Sequence, residues 1–504
     1  MTTTISRRGV IALLGGAPLI SACSPSASDS STPTRTEVLR LGAVSAGSQP
    51  SSDPHGSLFS EADWVRMTAL YDPLIRLDGN GELVAGLASS WTPSQGAKRW
   101  VLELRKDAHF SDGRPVTSAD VLYSLQRLAQ KSAENGGRLG TVDVPSSRAR
   151  DAHTVVLATS VADAELPRTL AASSFVVPKG TTSFSQPIGS GAFTLETLDA
   201  GGARLHANSG WWGGRPHVRT LEIRGFSDPK AMSASIMSGR IDVAMGVDPA
   251  TARSVAGRKD LQVVRRPAES TTTILMRLDR APFDKPQVRE AIRIAIDREA
   301  LVQTVHLGHG RVGADLPQPN DPSAPELSPP RRDLARARAL LVEAGHPDGL
   351  DLELHTTTAY PSMPATAQVV ATQLKKVGVR VKVVSHPPQS YWTKIYTKVP
   401  FSIGYYGDMP YPVWVRQTAL SSAAFNETGW KNEGFDKTFA TAMQTTDTER
   451  RHALLADMQK EFAREGGVIC WGHADGITVA RRSVTGLGAA PGLGRLRMDQ
   501  VRPA

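Results

Sequence analysis

Ser270-Thr-Thr-Thr-Ile-Leu-Met-Arg-Leu278, followed by Asp279-Arg-Ala-Pro-Phe-Asp284, is the stretch from which the rest of the chain can be read. Its β-branched and long apolar side chains predict a strand, and the Asp/Ala/Pro group after it predicts a turn. From Lys285 to Val305 the apolar residues Val288, Ala291, Ile292, Ala295, Ile296, Leu301, Val302 and Val305 recur at three- and four-residue spacing, one face of a helix. One packed unit therefore ends and another begins here. The strand reads as a crossing between two lobes, with the protein's work done in the cleft between them.

The 504 residues exceed what one hydrophobic core organises, so two or more domains are expected. A hydrophobic fraction of 40% with 21% charged residues is that of a globular protein, and no interior run reaches the ~20 apolar residues of a membrane span. The net charge of +9 is spread along the chain without a polybasic block, which argues against nucleic acid. Cys23 and Cys470 are the only cysteines, which excludes a disulfide framework and any metal site needing several thiolates.

Residues 1–22 have the parts of an export signal: a polar start with Arg7-Arg8, an apolar stretch from Val10 to Ile20, and a small-residue exit. The exit, Ile20-Ser-Ala-Cys23, resembles the bacterial lipobox, which implies a diacylglycerol on the thiol of Cys23; a thiol is the strong nucleophile such chemistry needs. Ser6-Arg7-Arg8 also resembles a twin-arginine signal, although Val10 stands where Phe is common, so the export route stays open. The Ser/Thr/Pro/Ala-rich residues 23–36 read as a tether. The expected location is the extracytoplasmic face of the cell membrane.

Within residues 37–269, Val38-Leu-Arg-Leu-Gly42 and Trp100 to Arg105 alternate like strands, and Glu61 to Tyr71 reads as a helix. The run from Phe110 to Leu128, Phe-Ser-Asp-Gly-Arg-Pro-Val-Thr-Ser-Ala-Asp-Val-Leu-Tyr-Ser-Leu-Gln-Arg-Leu, contains an Asp112-Gly113 turn, then a helix capped by Thr117 with Asp120 in the reciprocal position. This run resembles the signature of the solute-binding proteins of peptide/nickel-type ABC importers, the bacterial extracellular family 5. Further matches follow in the family's order: Asp53-Pro-His55, Pro187 to Leu195, Asn208-Ser-Gly-Trp-Trp-Gly-Gly-Arg-Pro216, Met237 to Val243, and Pro282-Phe-Asp284 with the helix after it. Each is weak alone, because turns and caps of this kind are common; their order carries the resemblance.

The resemblance implies an α/β, two-lobed periplasmic-binding-protein-like fold (type II, large cluster C form). The expected divisions are a first lobe at 37–269 with an extra subdomain at about 57–184, a second lobe at 270–476, and a return to the first lobe at 477–504. In the second lobe Asp333 to Ala344 and Ala365 to Lys376 read as helices, and Leu350 to His355 and Val379 to Val384 as strands, an α/β rhythm. Arg289 and Asp297 read as fold-stabilising.

A cleft needs a few polar groups among aromatics. Phe401-Ser-Ile-Gly-Tyr-Tyr-Gly-Asp-Met-Pro-Tyr-Pro-Val-Trp414 supplies them, and its prolines predict irregular structure. In the family a loop like this carries the acid that holds a peptide's α-ammonium, which falls on Asp408; Tyr411-Pro412 replaces the family's following Asp-Pro. Asp408 reads either as a ligand contact or as a turn-forming acid, and Tyr405, Tyr406 and Trp414 as cleft wall or core. His55 is a further candidate that also fits an ordinary turn, and Cys470 reads as a small buried core residue. No catalytic residue, cofactor or metal is expected. The competing class, a secreted lipoprotein hydrolase, lacks a Gly-x-Ser-x-Gly, His-Glu-x-x-His or Ser-x-x-Lys arrangement. The function expected is a lipid-anchored, monomeric binding component that delivers a small ligand, oligopeptides leading and nickel chelates or other solutes behind them, to an ABC permease and ATPase complex.

Overall fold

The apolar run Ile274-Leu-Met276 is only the second half of the strand it belongs to. In the computed structural model, which describes residues 38–45, 50–56, 60–130, 139–171, 174–488, 492 and 496–503, that strand runs from Leu261 to Met276. Its first half, Leu-Gln-Val-Val-Arg-Arg, is mixed in polarity, so the apolar pattern alone places its start too late. Antiparallel to it lies Val468–Arg481. The two stay paired from Leu261↔Arg481 to Leu275↔Val468, with a register shift between Arg266 and Ser270. Pro267, which has no N–H to give the ladder, and Ala268, at φ 51°, mark that irregularity.

Each half of this long pair is buried in a different core. Leu261, Ile477 and Val479 pack with Met232, Ile236 and Ile241, whereas Ile274, Met276, Ile469 and Trp471 pack with Phe283, Val288, Ile292 and Leu301. Outward from the pair, the sheet continues on one side through Phe401–Gly407, Leu350–Thr357 and Val379–His386. On the other side it continues through Val243–Met245, Val38–Val44, Thr220–Phe226, Gly202–Ala207 and Phe193–Asp199. The result is an 11-stranded mixed sheet, counting Gly310–Val312, which pairs with Val468–Arg481 off the main path. A separate four-stranded sheet of Ala88–Ser94, Arg99–Leu104, Thr154–Thr159 and Val142–Asp151 carries its own core, from Leu74 to Val176.

Local chemistry accounts for the element limits. Thr117 donates its N–H and hydroxyl to Asp120 Oδ2, at 2.8 and 2.6 Å, so the reciprocal half of the expected capping box opens the helix Ser118–Gln130, while Asp120 N donates to the Thr117 carbonyl instead of its hydroxyl. Asp333 caps Leu334–Glu343, and Gly345 follows at φ 87°. The apolar period from Lys285 to Val305 belongs to two helices rather than one, Pro286–Ala295 and Arg298–Val305. Ile296 turns extended between them and Asp297 caps the second by accepting from Ala300 N at 3.0 Å, so a cap overrides a continuous apolar face. Asp297 also takes Arg332, and Arg289 bonds the carbonyl of Phe283 at 2.7 Å; both side chains tie the fold.

The stretch Phe401 to Trp414 is regular, against expectation. Phe401–Gly407 is an inner strand, and Tyr411–Trp414 is a helical turn with Pro412 in its first two positions, where a missing N–H costs nothing. The leader 1–22, Cys23 and the whole tether to residue 36 lie outside the described residues.

Candidate functional site

At the irregular point of the crossing strand, Arg266 is turned inward and only 2% exposed. Burial of a guanidinium requires partners, and it has three. Glu269 Oε2 accepts from its Nε at 2.7 Å, Thr478 Oγ1 from Nη1 at 2.8 Å, and Glu61 Oε1 from Nη2 at 3.2 Å. These come from the crossing strand itself, the return strand and the first turn of the helix Glu61–Leu70. Two carboxylates thus share one cation. Glu61 Oε2 has no hydrogen-bond partner among the described residues, and burial pushes the Glu61 carboxyl up to about 7 against the pull of Arg266. Gly246, at φ 70°, makes room for it: a Cβ there would lie 1.9 Å from Glu61 Oε2.

Four residues on from Arg266, Ser270 pairs with Gly407, and Thr272 with Tyr405, across the ladder. The Asp408 N–H donates to Glu269 O at 3.0 Å, which ties the loop that carries Asp408 to the crossing strand. Asn320 orients it. Its Nδ2 donates to Asp408 Oδ1 at 3.1 Å and to the carbonyls of Pro267 and Ala268 at 3.1 and 3.0 Å, tying the acid to the irregular segment. Gln318 clamps the same loop, donating to Gly407 O and accepting from Met409 N. The half-buried Tyr405 stacks face to face on the exposed Tyr360, centroids 3.8 Å apart and planes 6° from parallel. Burial raises its phenol to about 12, so it stays a neutral donor. The arrangement is an acidic floor with an aromatic wall, suited to binding.

A sequence model described as bacterial extracellular solute-binding proteins, family 5 Middle, matches residues 82–427. The chain belongs to that family. It is 24% identical to the glutathione-binding protein GsiB of Escherichia coli K12, with 98% of each chain covered. Among solved structures it is similar to HbpA2 from Haemophilus parasuis, at TM-score 0.81 and 21% identity over 93% of this chain and 100% of that one. It is likewise similar to NikZ from Campylobacter jejuni in complex with Ni(L-His), at TM-score 0.74 and 19% identity over 92% and 99%. The fold is that of the two-lobed periplasmic binding proteins, and the relatives are transporter binding proteins, not enzymes.

Of the residues singled out in the sequence, this family 5 protein brings Asp408 and Tyr405 to the crossing strand. Tyr406 lies next to Tyr405 on the same strand and so faces the opposite side; it is 5% exposed, and its hydroxyl donates to Glu427. Trp414 is buried in the same core, edge-on to Tyr406 and Phe462. His55 is fully buried: Arg127 Nε donates to its Nδ1 at 3.2 Å, and its Nε2 donates to Phe175 O at 2.9 Å. Cys470 is buried, and that burial holds its thiol well above the usual range. Sequence reasoning passed over Glu61, Arg266, Glu269 and the Gln318-Pro-Asn320 loop. An Arg-Pro-Ala-Glu break inside a strand pattern was the available signal for Arg266 and Glu269.

Proposed function

We propose that this chain is the lipid-anchored binding component of an ABC importer, capturing a small amine-bearing solute, with oligopeptides the leading class, and presenting it to the permease and ATPase complex. Glu61 and Glu269 on the guanidinium of Arg266, with Asp408 on the adjoining loop held by Asn320, carry this reading. Asp408 and the Oε2 of Glu61, unpartnered among the described residues, are the acceptors offered to an ammonium, which they hold through charge-assisted hydrogen bonds strengthened by exclusion of water. Tyr405 and Tyr360 supply the apolar side of the same site, while Tyr406 and Trp414 back the wall from the core and His55 braces the body behind it. The two lobes divide near residues 269 and 476, where the paired strands change core, and the chain works as a monomer held by a diacylglycerol on Cys23.

Titration calorimetry with short peptides and their N-acetylated counterparts tests this. The free-amine peptides are expected to bind and the acetylated ones to lose at least tenfold in affinity. Equal affinities would remove the amine from the recognised group.

A further inference from the structure

Away from the crossing strands, a cavity of about 460 Å³ opens between the loop that carries Trp211 to His217 and, from the C-terminal part of the chain, Thr485, Gly486 and the residues from Arg497 to Arg502. Its size is that of a small-ligand pocket. Trp211 forms one wall. Its indole N–H is committed to the buried carboxylate of Asp72 at 3.0 Å, which leaves the ring as the lining surface. Around it stand Arg215, His217, Arg497 and Arg502, with Asp499 the one acid among the described lining residues. That acid is already taken, because Arg497 holds it with two parallel bonds of 2.9 and 2.7 Å. Arg215 and Arg502 form no ion pair among the described residues, so their charge is offered to the cavity. Arg502 is fixed at its backbone by a two-way bridge to Thr485, 2.8 and 2.9 Å. Gly486, at φ 75°, keeps that bridge closed, since a Cβ would fall 2.1 Å from Gln500 O.

We infer that this cavity is a second binding site, for a phosphate group. A planar guanidinium fork matches two oxygens of a phosphate, and two such forks beside an imidazole recognise an oxyanion and repel an amine. The site is separate from the acidic floor and selects the opposite charge. The phosphate belongs either to a free solute or to a lipid headgroup; the chemistry at the arginines is the same.

The test uses the purified protein, the pair variant Arg215→Gln/Arg502→Gln, and a control pair, Arg148→Gln/Arg150→Gln, that removes the same charge from the exposed end of the strand Val142–Asp151. Inorganic phosphate is titrated calorimetrically at low salt, and sedimentation is measured with vesicles of phosphatidylglycerol and phosphatidylcholine against phosphatidylcholine alone. All four arginines are exposed, so both variants are expected to melt with the parent protein. Saturable phosphate binding that falls at least tenfold in the first variant and holds in the control supports the site with a free phosphate as its source. Phosphatidylglycerol-dependent sedimentation lost in the first variant alone supports it with a headgroup as source. Absence of both signals in the parent protein, or equal losses in the two variants, overturns it.

Discussion

Glu427 shows how far this chain goes to bury an acid. It is 2% exposed, accepts the hydroxyls of Tyr396 and Tyr406, and has its carboxyl pushed up to about 7 by burial. Raised from 4.5, it binds more protons folded than unfolded across pH 4.5–7, so its contribution to stability is lost as pH rises through that window. His473, lowered by burial to about 3, and His306, to about 4, act the other way: each binds fewer protons folded than unfolded below 6.5, so stability rises with pH there. The two slopes oppose each other in the parent protein. Glu427→Gln removes the first, so the variant is expected to gain about 2 kcal/mol from pH 5 to pH 7 relative to the parent. Urea melts at the two pH values measure it, and identical differences in both proteins would mean that Glu427 titrates normally. At the site itself, Asp408→Asn keeps the Asn320 contact geometry but removes the charge. It is expected to weaken an amine ligand by about 1.5–3 kcal/mol, read by calorimetry; unchanged affinity would take Asp408 out of the site.

At the scale of elements, the helix Thr448–Glu465 is tied to the segment before the helix Leu166–Ala171. Arg451 Nε donates to Glu165 Oε1 at 2.5 Å, Arg416 lies 2.8 Å from Asp163, and Ala164 N donates to Met443 O at 2.9 Å. Glu165 is buried between Arg451 and Arg168, so truncating it takes the counter-ion from two buried guanidiniums. Glu165→Ala is expected to cost about 3–5 kcal/mol in a denaturant melt, and a loss below about 1 kcal/mol would show the pair to be solvated as surface pairs are.

Elements were legible in the sequence where one signal dominated. Thr117 with Asp120, Asp333 with Gly345, and the alternating Val379 to Val384 each placed an element within a few residues. Legibility failed where two signals competed. The apolar face of Lys285 to Val305 hid the cap at Asp297, and Pro410 and Pro412 read as breakers although one precedes a helical turn and the other opens it. Tyr405 and Tyr406 could not be told apart without the strand's alternation. The acidic floor was out of reach for a different reason: Glu61 lies 205 positions from Arg266, and their contact depends on how the crossing strand and the first helix meet.

For the whole molecule, the long strand pair that changes core part-way is the feature on which the binding account rests. The two bodies are joined by these strands and by the buried contacts of Asp163, Ala164 and Glu165 with Arg416, Met443 and Arg451, and only a ligand that touches both bodies can shift an equilibrium between their arrangements. Saturation with a tight ligand is therefore expected to lower the radius of gyration in small-angle scattering, and a profile unchanged by a ligand of proven affinity would make the groove rigid. The central claim, that the protein carries a small solute in this site without altering it, is tested most directly by native mass spectrometry of freshly purified protein. The account predicts a bound molecule with a free amine, released intact on denaturation and absent from Asp408→Asn. A ligand of another class retained equally by Asp408→Asn, or one returned chemically changed, would contradict it.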